Sequence, residues 1–140
     1  MSKKYKAMVL SCIDPRFQSV VSDYLIKKKL KGKYSLFTIA GGAIGVTAEK
    51  FKKWHKTFLD NFEISLKIHK ISKLIVINHR DCGAAKMVNR KNNLLKENEL
   101  AVHINSFKKL KKVFKKKYPK IKIEFKLISS NHQIEEFKNF

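Results

Sequence analysis

Residues 73–86 read KLIVINHRDCGAAK, and this stretch decides the fold. Its run 74–77 is short, aliphatic and rich in β-branched residues, the pattern of a buried strand. A second such run, 7–10, lies in KAMVLSCIDPRF at residues 6–17. Chemistry-bearing side chains follow each run at once: Cys12 after the first, His79 and Cys82 after the other. In a parallel α/β sheet the carboxyl ends of strands open onto one crevice, where ligands bind. Two thiols and an imidazole meeting there make a Cys2His metal site with one position open, the pattern of catalytic rather than structural zinc. The alternatives are two inert buried thiols or a disulfide. The opening MSKKYK is charged and not an apolar leader, so a reducing, cytoplasmic setting is expected, which disfavours the disulfide.

Working outward, strands are expected at 6–12, 34–39, 74–78 and 121–128. The last alternates Ile121, Ile123, Phe125 and Leu127. Pro15 opens a helix near 17–30, with Phe17, Val20, Val21, Tyr24 and Leu25 on one face. Thr47 is a candidate cap for the next helix. Phe51, Trp54, Phe58 and Phe62 recur at helical spacing, and Asp60-Asn61 is a candidate break within 47–71. Residues 84–92 read as a short helix or loop over the site, 97–118 as an amphipathic helix stopped by Pro119, and 131–140 as a terminal helix. Strands alternating with helices give the fold class: α/β, a central mostly parallel sheet of four or so strands flanked by helices. The chain of 140 residues is expected to form a single zinc-binding domain over 1–140, large enough to bury a core.

The formal charge of +21 invites a nucleic-acid or membrane-surface reading. The kind of cation argues against it. Of 32 basic residues only Arg16, Arg80 and Arg90 are arginine, the residue preferred for planar phosphate and base recognition. Lysine in such excess beside abundant Ile and Asn points to a compositional bias. Between 100 and 114 the lysines also interleave with Leu100, Ile104, Phe107, Leu110 and Phe114, a solvated amphipathic face. No specific nucleic-acid partner is expected, and no run approaches the roughly 20 apolar residues of a membrane span.

Cys12-Ile13-Asp14-Pro15-Arg16 resembles the CxDxR motif of the β-class carbonic anhydrases, and His79-Arg80-Asp81-Cys82-Gly83 their HxxCG motif. Ala40-Gly41-Gly42 is similar to their Ala-Gly turn. Order and spacing fit across 5–85. The resemblance implies Cys12, His79 and Cys82 as ligands of Zn2+, with Asp14 and Arg16 as a catalytic dyad beside the metal. The implied activity is reversible hydration of CO2 to bicarbonate by a zinc-bound hydroxide. A centre with two thiolates is net neutral and acidifies water less than an all-histidine site. Asp14 would therefore accept a hydrogen bond from the nucleophile, while Arg16 grips the carboxylate with two parallel bonds and keeps it off the metal. One departure stands out: where the family carries Arg-Asn before the Ala-Gly turn, this chain has Thr38 and Ile39.

Two rival functions use the same residues: hydrolysis of COS or CS2, and a non-catalytic zinc-stabilised binding domain. The remaining histidines, His55, His69, His103 and His132, read as surface or internally satisfied. A homodimer or larger assembly is expected, because a small open sheet leaves two edges. The aromatics Phe37, Phe51, Trp54, Phe58 and Phe62 also look too many for one subunit to bury.

Overall fold

The computed structural model describes residues 4–89 and 96–140. The first strand, β1 (Ala7–Ser11), is buried throughout and runs into a single 3-10 turn at Pro15–Phe17. Helix α1 (Gln18–Lys27) and strand β2 (Tyr34–Thr38) follow. A short helix α2 (Ala43–Thr47), a 3-10 segment (Glu49–Trp54) and α3 (His55–His69) lead to β3 (Lys73–His79). Then come α4 (Gly83–Asn89), α5 (Lys96–Lys117), β4 (Lys122–Ile128) and β5 (Ile134–Phe137). The strands form one sheet in the order β2-β1-β3-β4-β5. The first four are parallel, and β5 alone runs antiparallel, against β4.

This order decides where a site can form. From β1 the chain moves to one side for β2, then crosses back to place β3 on the other side of β1. At such a reversal the connections leave in opposite directions and the strand ends open a crevice. Ser11, the last residue of β1, pairs with Ile77, so Cys12 leaves the sheet at nearly the level of His79, two residues further along β3.

Both faces of the sheet are covered, which is why β1 and β3 are apolar without alternation. On one face Met8, Leu10, Leu74, Val76 and Phe125 meet Phe58 and Phe62 of α3 and Phe107, Leu110 and Phe114 of α5. On the other, Ala7, Val9, Ile75 and Ile77 meet Phe17, Val21 and Leu25 around α1. The apolar residues of each helix recur every three or four positions, so they lie on one stripe.

Four local expectations change. Residues 131–140 are no helix: Ser129–His132 turn the chain back, with Ser129 N–H donating to Gln133 O (2.8 Å), and β5 pairs with β4. Ile134 and Phe137 mimic helical spacing, but register sets them opposite Ile128 and Phe125. Asp60-Asn61 breaks nothing; Lys56 pairs with Asp60 at 2.9 Å inside α3, and the change of helix type falls at Trp54–His55. Thr47 caps no helix, since its hydroxyl donates back to Ala43 O within α2 (2.7 Å). The aromatics are largely housed by this chain: Phe51, Phe58 and Phe62 are buried, while Phe37 and Trp54 are partly buried. The exposed large apolar residues are mostly aliphatic, Ile13, Leu36, Ile64 and Ile68 among them. Positions 90–92 of the expected helix or loop at 84–92 lie outside the described residues; α4 accounts for the rest.

A buried cation ties β5 to the sheet. Lys126 is 1% exposed, and its Nζ lies 2.6 Å from Glu136 and 3.2 Å from Glu124. Burial alone would lower its pKa; Glu136, Tyr24 and Glu124 together raise it. The Lys126 contribution to stability is therefore complete below the unfolded value of about 10.4 and lost as pH rises through the folded one. Glu124 and Glu136 are both shifted down, so theirs holds above about pH 4.3 and fades on acidification. Removing both carboxylates (Glu124→Gln with Glu136→Gln) strands the ammonium and should cost about 3 kcal/mol at pH 7 by urea denaturation. Lys126→Met should cost much less, because Glu124 keeps Lys73 (2.9 Å) and Glu136 reaches water. Equal losses would contradict this account.

Candidate metal centre

Cys12 follows β1, His79 is the last residue of β3, and Cys82 immediately precedes α4. The fold brings one potential ligand atom from each to within 4.8 Å of the others, and all three residues are buried. Both cysteines are free thiols. His79 Nδ1 lies 2.7 Å from Arg80 O. A carbonyl can only accept, so Nδ1 carries a proton, and in the neutral ring that a metal requires Nε2 keeps its lone pair. Nε2 is buried with no hydrogen-bond partner. Phe17 stacks on the ring at 4.3 Å and holds its plane. An orphaned imidazole nitrogen beside two thiols fits a metal ion, and a sulfur and nitrogen donor set suits zinc better than magnesium or calcium.

The thiols are electrostatically unequal. A hydrogen bond from Cys82 is the main cause that brings Cys12 down to about 4, against burial and with help from His79 and the Gly41 N–H. Cys82 is pushed up by Cys12 and by burial. His79 is raised: burial opposes its charge, but Cys12 and the Arg80 carbonyl outweigh it. The Gly41 N–H donates to Cys12 Sγ at 3.2 Å. The turn needs glycine twice, with φ 83° at Gly41 and 56° at Gly42. A Cβ on Gly42 would stand 2.6 Å from Asn78 Oδ1. The Ala-Gly-Gly stretch is thus a wall of the site.

Asp14 and Arg16 form the expected pair. Arg16 Nη2 donates to Asp14 Oδ2 at 2.7 Å and Nε to Oδ1 at 3.1 Å. The Arg16 backbone N–H adds a third bond (2.9 Å), so Asp14 also caps the 3-10 turn that Pro15 opens. The guanidinium holds the Asp14 carboxyl at about 2. Asp14 Oδ2 lies 3.7 Å from His79 Nε2. Arg16 also grips Asp81, Nη1 to Oδ2 at 3.0 Å and Nη2 to the backbone oxygen at 2.9 Å, and Asp81 pairs with Lys86. A cavity of about 470 Å³ opens beside Arg16, lined also by Phe17, Lys86 and His132.

Four supporting residues carry no role at the site in the sequence reading, which takes His103 among them as surface or internally satisfied. Gln18 Nε2 donates to the carbonyls of Cys12 (3.0 Å) and Asp14 (2.8 Å). Asn78, the polar residue within an apolar strand, accepts from Ala43 N–H (2.9 Å) and donates to His103 Nδ1 (2.9 Å). His103 is fully buried and half satisfied, its Nε2 lacking a partner; burial lowers it to about 4. Glu99 accepts from the Cys82 N–H (2.8 Å) and Arg80 Nε (2.9 Å). Of the remaining histidines, His55 donates to Ala48 O and His69 bonds Ser35, as a satisfied reading expects.

A family model described as "Putative carbonic anhydrase" matches residues 1–138. A protein of Rickettsia bellii described as uncharacterized is 28% identical over 130 residues, 92% of this chain and 79% of the relative. A similar protein of Rickettsia conorii is 26% identical over 92% of this chain and 70% of its own length. Among solved structures, a tetrameric β-carbonic anhydrase of Sordaria macrospora superposes with a TM-score of 0.65. It covers 98% of this chain and 82% of that one at 10% identity, a likeness of fold. On the match that runs from residue 1 to residue 138, the chain belongs to this carbonic anhydrase family.

Proposed function

We propose that the protein hydrates CO2 reversibly to bicarbonate with Zn2+ held by Cys12, His79 and Cys82. One observation carries this reading: an unpartnered His79 Nε2 faces two free buried thiols while an arginine-clamped carboxylate stands 3.7 Å away. Zinc bound there supplies the Lewis acidity that makes water a nucleophile near neutral pH. The chain does the rest. Asp14, kept ionised by Arg16, accepts a hydrogen bond from the reacting water and orients it. Arg16, anchored at its far side by Asp81, holds that carboxylate away from the ligand set. Phe17 covers the outer face of His79 and restricts water there. Stopped-flow CO2 hydration by the zinc-loaded protein tests the reading; a fully loaded, folded protein without activity would overturn it in favour of a non-catalytic zinc domain.

The same reading takes residues 1–140 as one zinc-binding domain, active in the reducing cytoplasm, where two free thiols persist. It also includes a homodimer or an assembly of dimers. Ile13, 59% exposed, lies between Cys12 and Asp14, and Leu36, 55% exposed, lies on the edge strand β2. A partner over this side would cover apolar surface next to the metal centre. The Sordaria enzymes are tetrameric by description. The net positive charge opposes association, but salt screens it within roughly 8–10 Å. Light scattering at micromolar concentration should give a dimer or larger, and a monodisperse active monomer would contradict the shared arrangement.

A further inference from the structure

Helix α5 backs the metal centre from behind. Glu99, His103 and Ser106 fall on one face of it, four and three residues apart, and all are buried. Through His103 and Ser106 this face meets Asn78. Asn78 holds the Ala43 N–H, next to the glycine turn whose Gly41 N–H donates to Cys12 Sγ. Through Glu99 it holds the other thiol arm directly.

The Glu99 contact is unusually complete. Oε2 takes the Cys82 N–H at 2.8 Å, and Oε1 takes Arg80 Nε at 2.9 Å. Asp81 sits in the left-handed region at φ 58°, a conformation uncommon for a residue with a side chain. The turn presents the Cys82 N–H to a carboxylate 17 residues away along the chain, which accepts it. Glu99 also lies in the first turn of α5, where the helix dipole favours negative charge. The strained turn between His79 and Cys82 is thus held in shape from another element.

Resting on the metal reading above, we propose that Glu99 is a positioning residue for the metal centre, fixing the 80–82 turn so that Cys82 meets the ion in register with His79. It touches neither ion nor substrate; it acts through the Cys82 backbone. Partners of this kind typically contribute 10–100-fold to metal affinity.

The test is Zn2+ affinity by chelator competition, with the absorption of the Co2+-substituted protein as the second readout. The proteins are wild type, Glu99→Gln, Glu99→Ala, Cys82→Ser and Leu110→Ala. Glu99→Gln keeps the size of the side chain, so it carries the test if Glu99→Ala does not fold. Both Glu99 variants should bind Zn2+ about 10–100-fold more weakly and shift the thiolate-to-cobalt band. Leu110→Ala loosens the same helix in the core and should lose stability while keeping affinity. Wild-type affinity and an unchanged cobalt band in the Glu99 variants would overturn the proposal, as would an equal loss in Leu110→Ala. If wild type binds no zinc, or Cys82→Ser binds it as well as wild type does, the metal reading itself fails, and the Glu99 proposal with it.

Discussion

The double variant Cys12→Ser/Cys82→Ser should purify without zinc and show no CO2 hydration above the buffer rate. Serine preserves size but not donor character: an alkoxide is not accessible at neutral pH, whereas a thiolate is. Losing both sulfurs leaves a lone His79, which cannot hold the ion. The backbone should tolerate the change, since neither sulfur sits within a strand and the cluster around them draws on Ile44, Phe51 and Ala85 as well. Elemental analysis and stopped-flow assay read the two losses, and circular dichroism confirms the fold. Full zinc occupancy in this variant would sink the ligand assignment, whatever its activity.

Arg16→Ala should retain zinc and lose about 10²-fold or more of the hydration rate, the size of effect expected when a positioned acid-base group is misplaced. The guanidinium is the first cause of the low Asp14 pKa and supplies both side-chain bonds that orient it. Without them the carboxyl returns toward the ordinary range and can rotate. Its Oδ2 starts only 3.7 Å from His79 Nε2, so the ligand set is within its reach, and it would occupy the position that water needs. Arg16→Lys should recover only part of the rate, because an ammonium cannot make the parallel fork. Metal content separates this mechanism from simple loss of the site. An Arg16→Ala protein with unchanged activity would show the pair to be a surface ion pair and nothing more.

The parts of this molecule that could be read in sequence are those where neighbours in the chain are also neighbours in chemistry. Cys12, Asp14 and Arg16 sit in one turn, and His79 and Cys82 in another. Each group follows an aliphatic run too short for a helix, so strand ends and site residues come together. What brought the two groups face to face was only implied, through parallel pairing of the strands they follow. The terminal segment misled because Ile134 and Phe137 suit either period, and only the opposing Lys126, Phe125 and Ile128 select a strand. Glu99 and Asn78 carried no local signal at all. Their partners lie on other elements, and a carboxylate among lysines on an amphipathic helix reads as solvent-facing until the 80–82 turn is seen against it. Thr38 and Ile39 remain a departure from the resembled motif: Ile39 N–H simply continues the ladder to Ser11 O at 3.0 Å.

The two described arginines suggest how this chain has spent a scarce residue. Twenty-nine of its 32 cations are lysine, yet Arg16 and Arg80 both stand at the candidate metal centre, each bonded to a carboxylate through Nε. Compositional drift toward lysine is harmless where a cation merely faces water. It is not harmless where a flat, two-pronged donor must fix an oxygen to a fraction of an ångström. In this lysine-rich chain the two described arginines thus stand where a flat donor fixes a carboxylate, at the turn behind His79 as well as at the pair in front of it.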